Sequence, residues 1–101
     1  PRSEPLDPRR YLFAGELALD GRLRPIKGAI AIAALARDKG YRGVVVPADN
    51  GAEAAVVAGL EVLGVRTLAE VVGLLTGDLE PTPVSPPEVE RLLQQAMAPI
   101  D

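Results

Sequence analysis

The hydrophobic and polar positions of the chain fall into short, differently spaced blocks. Residues 11–19 alternate loosely, with Leu12, Ala14, Glu16 and Ala18 on one side and Tyr11, Phe13, Leu17 and Leu19 on the other. This period of two predicts a strand. Asp20-Gly21 follows, a pair that tolerates positive φ at both central positions of a tight hairpin turn. Residues 22–26 form the predicted return strand, with Pro25 placing it at an edge or an end. Residues 28–39 then read as a helix. Its expected buried stripe is Ile30, Ala31, Ala34 and Leu35, and Ile32 and Ala33 extend the apolar surface almost all round, as in a helix covered on more than one side. Arg37, Asp38 and Lys39 close it, and Gly40 fits the left-handed stop.

The second half repeats a strand-then-helix order. Residues 43–46 are a β-branched run ending at Pro47, which reads as a buried strand. Asp49 and Asn50 offer N-caps for a helix to about residue 58, stopped by Gly59. Residues 60–65 contain a further strand. Thr67, with Glu70 three positions on, has the spacing of a capping box for a helix over residues 68–76. The expected fold class is α/β: a β-hairpin followed by a βαβα unit, whose two strands a right-handed crossover makes parallel neighbours in a partly parallel sheet. Residues 1–10 read as an extended lead-in, 11–76 as the α/β unit and 77–87, with four prolines, as a stiff linker or arm. Residues 88–101 read as a short amphipathic helix carrying Val89, Leu92, Leu93 and Ala96 on its apolar side.

Composition narrows the chemistry. The 101 residues allow one small domain, and 48% hydrophobic content is too apolar for a disordered chain. With 3% aromatics the core is aliphatic. The chain has no Cys and no His, which removes disulfides, Cys/His zinc sites, thiol nucleophiles and every catalytic arrangement built on imidazole. The net charge of −3 gives no global basic field for nucleic acid. The longest apolar run, residues 28–36, is well short of the roughly 20 residues that cross a bilayer. A cytoplasmic protein with no membrane contact is therefore expected. The first residue, Pro1, is not Met, which reads as a processed chain or a piece of a longer one.

Few residues offer chemistry. No phosphate-binding glycine loop of either common spacing occurs. Lys27-Gly28 precedes a helix, a position compatible with anion binding and equally with a solvated lysine. Asp49 and Glu53 lie one helical turn apart beside Asn50, too few oxygen ligands for a hard metal, and read better as cap and dipole partner. Ser3, Ser85, Thr67, Thr76 and Thr82 are the only hydroxyl nucleophiles, and nothing pairs them with Lys27 or Lys39 as a base. Arg22, Arg24 and Lys27 form a basic set on the return arm of the hairpin. They suit phosphate or partner contact, or simply a charged edge that resists aggregation. No catalytic, cofactor-binding or metal residue is expected in this chain.

The run FAGELALDGRLRPIKG at residues 13–28 is distinctive, as are GVVVPADN at 43–50, EAAVV at 53–57 and VRTLAEV at 65–71. In this order and spacing the chain resembles the N-terminal region of magnesium-chelatase-like AAA+ ATPases of the YifB/ComM type, over roughly residues 11–75. That region is in turn similar to the C-terminal half of the proteolytic domain of Lon. The resemblance places Ile30 where Lon carries its catalytic lysine, and Lon's serine would lie upstream, so it implies fold and not proteolysis. It further implies a non-catalytic accessory domain within a hexameric ATP-driven motor. ATP and magnesium would bind in an ATPase module beyond the proline-rich stretch. The partners would be that module and neighbouring subunits, and for the parent DNA in branch migration and natural transformation.

Overall fold

A computed structural model describes residues 4–84. Three strands, β1 (Tyr11–Phe13), β4 (Gly43–Pro47) and β5 (Glu61–Val65), form one sheet in the order β1-β4-β5, and both pairs are parallel. A separate antiparallel pair, β2 (Glu16–Leu17) and β3 (Leu23–Arg24), carries the hairpin. The helices are α1 (Ala29–Asp38), α2 (Gly51–Ala54) and α3 (Leu68–Thr76). The protein is thus α/β, with the expected parallel β4–β5 pair joined through α2.

Every residue of β4 is buried, the pattern of a central parallel strand covered on both faces. Alternation divides its side chains. Val44 and Val46 join Val62 of β5 against Ala29, Ala33 and Ala36 of α1 and Ala54 of α2. Val45 joins Leu63 and Val65 of β5 against Leu74 of α3, with Tyr11 and Leu6 from the lead-in. The Leu6 amide donates to the Leu74 carbonyl at 3.0 Å, so the described part of the lead-in, residues 4–10, is tied to the second layer at Leu6 rather than merely extended; Pro8–Arg10 form a short 3-10 turn.

Four expectations are corrected. The strand predicted over residues 11–19 is two strands. The Ala14 amide donates to the Val45 carbonyl at 3.0 Å, which ties the first segment to β4, and the chain then turns at Gly15, tucked beside the Pro47 ring, to start the hairpin. The hairpin turn also differs. Ala18 accepts from the Gly21 amide at 3.0 Å, so Leu19 and Asp20 are the central residues, and Gly21 alone has positive φ (89°). A type I turn followed by a left-handed glycine satisfies the strand twist as a two-residue turn would.

The buried face of α1 is Ala29, Ala33 and Ala36, while Ile30 and Leu35 are about half exposed (46% and 48%). Small side chains let the helix axis lie close to Val44 and Val46, and the larger ones are left outside. Its C-terminus is as expected: Gly40 and Tyr41 amides donate to the Arg37 and Ala36 carbonyls, the paired bonds of a Schellman stop. Finally, the helix predicted from Asp49 or Asn50 to about residue 58 shrinks to a 3-10 turn (Ala48–Asn50) and the single turn α2. The Asn50 side chain does not cap it and is bonded elsewhere, and the Asp49 side chain makes no cap bond either.

Beyond α3 the chain runs back along β5. Pro83 pairs with Leu63, and the Val84 amide donates to the Val62 carbonyl at 2.8 Å. The helix expected over residues 88–101 lies outside the described residues, as does the end of the 77–87 segment.

Candidate interaction surfaces

The carboxyl ends of β4 and β5 meet the hairpin at one rim of the sheet. The Leu23 amide donates to the Arg66 carbonyl at 2.8 Å, the Leu68 amide donates to the Gly21 carbonyl at 2.9 Å, and Arg22 forms an isolated bridge with Thr67. These bonds stitch the return arm of the hairpin to the start of α3. They place Arg22 beside Arg66 around a shallow depression of about 430 Å³, lined also by Leu23, Ala48, Asp49 and Thr67. Arg66 was not singled out from the sequence, because nothing local signals that residue 66 will neighbour residue 22.

The rest of the basic set is only partly assembled. Arg24 is exposed and sits opposite Glu16 in the hairpin register. Lys27 is exposed three residues further on and does not line the depression. Local acids temper the charge. The Arg22 guanidinium lies 3.8 Å from the Asp20 carboxylate, whose other oxygen accepts from the Arg22 amide at 3.1 Å. The Thr67 hydroxyl accepts from the Glu70 amide at 3.2 Å, and the Glu70 carboxylate reaches back to accept from the Arg66 amide at 2.8 Å. This is a capping box whose return bond lands one residue earlier than usual.

The hairpin is held from below by Asn50, the one polar side chain buried among the described residues (5% exposed). Its Oδ1 accepts from the Ile26 amide at 2.8 Å and its Nδ2 donates to the Ile26 carbonyl at 2.9 Å. The same Nδ2 donates to Glu53 Oε1 at 3.2 Å. The side-chain amide thus mimics a strand neighbour for the residue leaving the hairpin. The Asn50 side chain is thus engaged with Ile26 and Glu53, and no group of three or more Asp or Glu side chains that could hold a metal ion occurs among the described residues.

At the opposite rim, the amino ends of the strands build a second cluster that sequence reasoning did not find. The Tyr11 hydroxyl donates to the Glu61 carboxylate, which also lies 3.7 Å from the Arg42 guanidinium. A cleft of about 610 Å³ opens there, lined by Leu6, Asp7, Arg10, Arg42 and Glu80 among others. Burial pushes the Tyr11 phenol up to about 12, reinforced by its bond to Glu61. The Arg9 side chain and backbone amide hold the Asp7 carboxyl below its ordinary value. The bond between Tyr11 and Glu61 ties β1 to β5 at this rim.

The hydroxyl candidates are dispersed. Thr67 is engaged as a cap, and the Thr76 hydroxyl points at the Gly73 carbonyl (3.3 Å) and the Asp78 carboxylate (3.0 Å). Thr82 is exposed. Ser3 and Ser85 lie outside the described residues. Ile30, in the first turn of α1, projects an aliphatic side chain.

Fold and surfaces together define a small α/β domain with Arg22 and Arg66 at one rim of its parallel sheet and the Tyr11, Glu61 and Arg42 cluster at the other. Comparison with known proteins adds partial similarities. The family model of subunit ChlI of magnesium chelatase matches residues 2–50, which supports a magnesium-chelatase-like relationship for this chain. Among curated proteins, the chain is similar to the uncharacterized proteins Mb2921c of Mycobacterium bovis and Rv2897c of Mycobacterium tuberculosis, 48% identical over 66 residues in each case. The aligned stretch covers 65% of this chain and spans only 13% of the length of those relatives. No helix among the described residues is long and apolar enough to cross a membrane.

Proposed function

We propose that this chain is a non-catalytic interaction domain of a magnesium-chelatase-like AAA+ ATPase, by resemblance of the YifB/ComM type, acting in DNA processing in the cytoplasm. The observation that carries this reading is the match to the magnesium chelatase subunit over residues 2–50. The exposed apolar side chains Ile30 and Leu35 on α1 and Leu68 and Val72 on α3 support it, since they suit packing against further protein. In this reading, nucleotide and magnesium bind in an ATPase module elsewhere in the parent, and the parent's neighbouring subunits are the partners. The Lon-like ancestry contributes the fold, with Ile30 standing where a catalytic lysine would be.

The test is made in a full-length relative. Removing the segment matched here should leave ATP hydrolysis per subunit intact and impair assembly or its coupling to a branched DNA substrate. Hydrolysis, assembly and DNA processing that are all unchanged would refute the reading.

A second reading has its own support. The approach of Arg66 to Arg22 at one rim, with Arg24 and Lys27 nearby in sequence, suits sequence-independent phosphate contact. Anisotropy of a labelled branched DNA should then show saturable binding that weakens with salt and with Arg22→Ala combined with Arg66→Ala. Binding unaffected by that pair of changes removes the rim from consideration.

A further inference from the structure

The side chain that holds the hairpin is also chemically reactive. Asn50 is the only asparagine in the chain, and Gly51 follows it. Glycine leaves its backbone nitrogen unhindered and its backbone free to turn. In an Asn-Gly pair that nitrogen attacks the side-chain amide carbon of the asparagine. A new C–N bond closes a five-membered succinimide, the bond to the side-chain nitrogen breaks, and ammonia leaves with the proton from the glycine nitrogen. Water then opens the ring at either carbonyl. The net change is amide plus water to carboxylate plus ammonium, and position 50 becomes aspartate or, with the backbone rerouted through the side chain, isoaspartate.

The folded structure restrains both reacting groups. The buried Asn50 side chain is bonded to the Ile26 amide and carbonyl and to Glu53. The attacking nitrogen is engaged too, because the Gly51 amide donates to the Ala48 carbonyl. Both residues are needed where they are: asparagine fits the two groups of Ile26, and a Cβ on buried Gly51 would stand 3.1 Å from a Val84 methyl carbon. What restrains Asn50 is itself weakly held. Arg24, Pro25, Lys27 and Gly28 are exposed, and Ile26 is the one partly buried residue among them. Short exposed segments of this kind open without global unfolding.

We propose that Asn50 is a site of spontaneous deamidation guarded by residues 24–28, and that each opening of this segment exposes it to a reaction that then keeps the segment open. This goes beyond the reading of function above and does not depend on it. The one-way character follows from the products. Aspartate at position 50 has no N–H to give the Ile26 carbonyl, and it sets a second carboxylate beside Glu53. Isoaspartate also inserts a methylene into the backbone where β4 passes into α2. Neither product restores both bonds to Ile26. The other end of the return arm stays tied, through the Leu23 amide on the Arg66 carbonyl and the Leu68 amide on the Gly21 carbonyl. Deamidation therefore frees the link between the hairpin and α1 and leaves the turn in place.

The test follows position 50 by peptide-mapping mass spectrometry while the full chain is held at physiological pH and temperature, beside an unstructured peptide of residues 46–55. The peptide should deamidate readily and the protein about 100-fold more slowly, since only its open fraction reacts. Pro25→Gly combined with Lys27→Gly loosens the exposed residues on either side of Ile26 and should speed the reaction about fivefold or more. Leu74→Val, in the other layer and compared at a matched loss of unfolding free energy, should speed it less. Deamidated protein, separated by its added negative charge, should exchange the Ile26 amide faster with solvent, and the Leu6 amide, bonded to Leu74, should be unchanged. A protein that reacts as fast as the peptide, a Leu74→Val variant accelerated as much as the loosened one, or a deamidated chain whose Ile26 amide is as protected as before would each overturn the proposal.

Discussion

Replacing Asn50 with Ala should be among the most damaging single changes to a polar side chain in this protein. The structure lets the cost be worked out. Asn50 Oδ1 and Nδ2 satisfy the amide and the carbonyl of Ile26, and Nδ2 also reaches Glu53. Truncation removes three hydrogen bonds, each worth about 1 kcal/mol net, and strands two backbone groups whose desolvation costs about 1–3 kcal/mol each where water cannot reach. Ile26 is only partly buried, so water recovers some of this. A loss of about 2–4 kcal/mol results, or a fall in Tm of roughly 10–20 °C for a chain of this size. Asn50→Asp is the sharper probe. It keeps an acceptor for the Ile26 amide, loses the donor for the Ile26 carbonyl, and sets a carboxylate beside Glu53. At neutral pH it should be about as destabilised as the alanine variant, despite its near-identical shape. Urea unfolding of the three proteins, compared at equal m-value, measures this. An alanine variant within 1 kcal/mol of the parent would mean that the clamp on the hairpin is not a structural tie, and the reasoning would fail.

Gly43→Ala should cost about 3 kcal/mol or more in the same assay, because a Cβ there would meet the Glu61 carbonyl oxygen and lie 2.7 Å from the Tyr11 ring, and neither can retreat without breaking the sheet. Thr67→Ala should cost about 1 kcal/mol by removing the cap on the Glu70 amide, and Thr67→Ser should restore most of it. Tyr11 should ionise near pH 12 by ultraviolet titration, read in a Tyr41→Phe background. Because the folded state favours the neutral phenol, its contribution to stability is fully present below the unfolded value of about 10 and is lost as pH rises through about 12. Tyr11→Phe should flatten that alkaline decline, and an unaltered decline would remove the latch with Glu61 from the account.

Much of this architecture was legible from short-range pattern. The β-branched run at β4, the Thr67-x-x-Glu70 cap and the Gly40 stop are local physics, in which side chain and backbone a few residues apart settle the conformation. The lack of Cys and His limited the chemistry before any fold was known. What the sequence could not decide was which partner each segment would choose. Residues 11–19 alternate as one strand would, yet pairing with β4, thirty residues away, captures the first part and leaves the rest to the hairpin. On α1, hydrophobicity alone ranks Ile and Leu above Ala, while packing against Val44 and Val46 rewards the small side chains that allow close approach. Asn50 looked like a cap because its type favours one, and the nearby Ile26 backbone offered it two bonds in place of one. The Arg22–Arg66 and Tyr11–Glu61 neighbours exist only because parallel strands gather like ends at a common rim, and such contacts join residues some forty and fifty positions apart with no trace in local spacing.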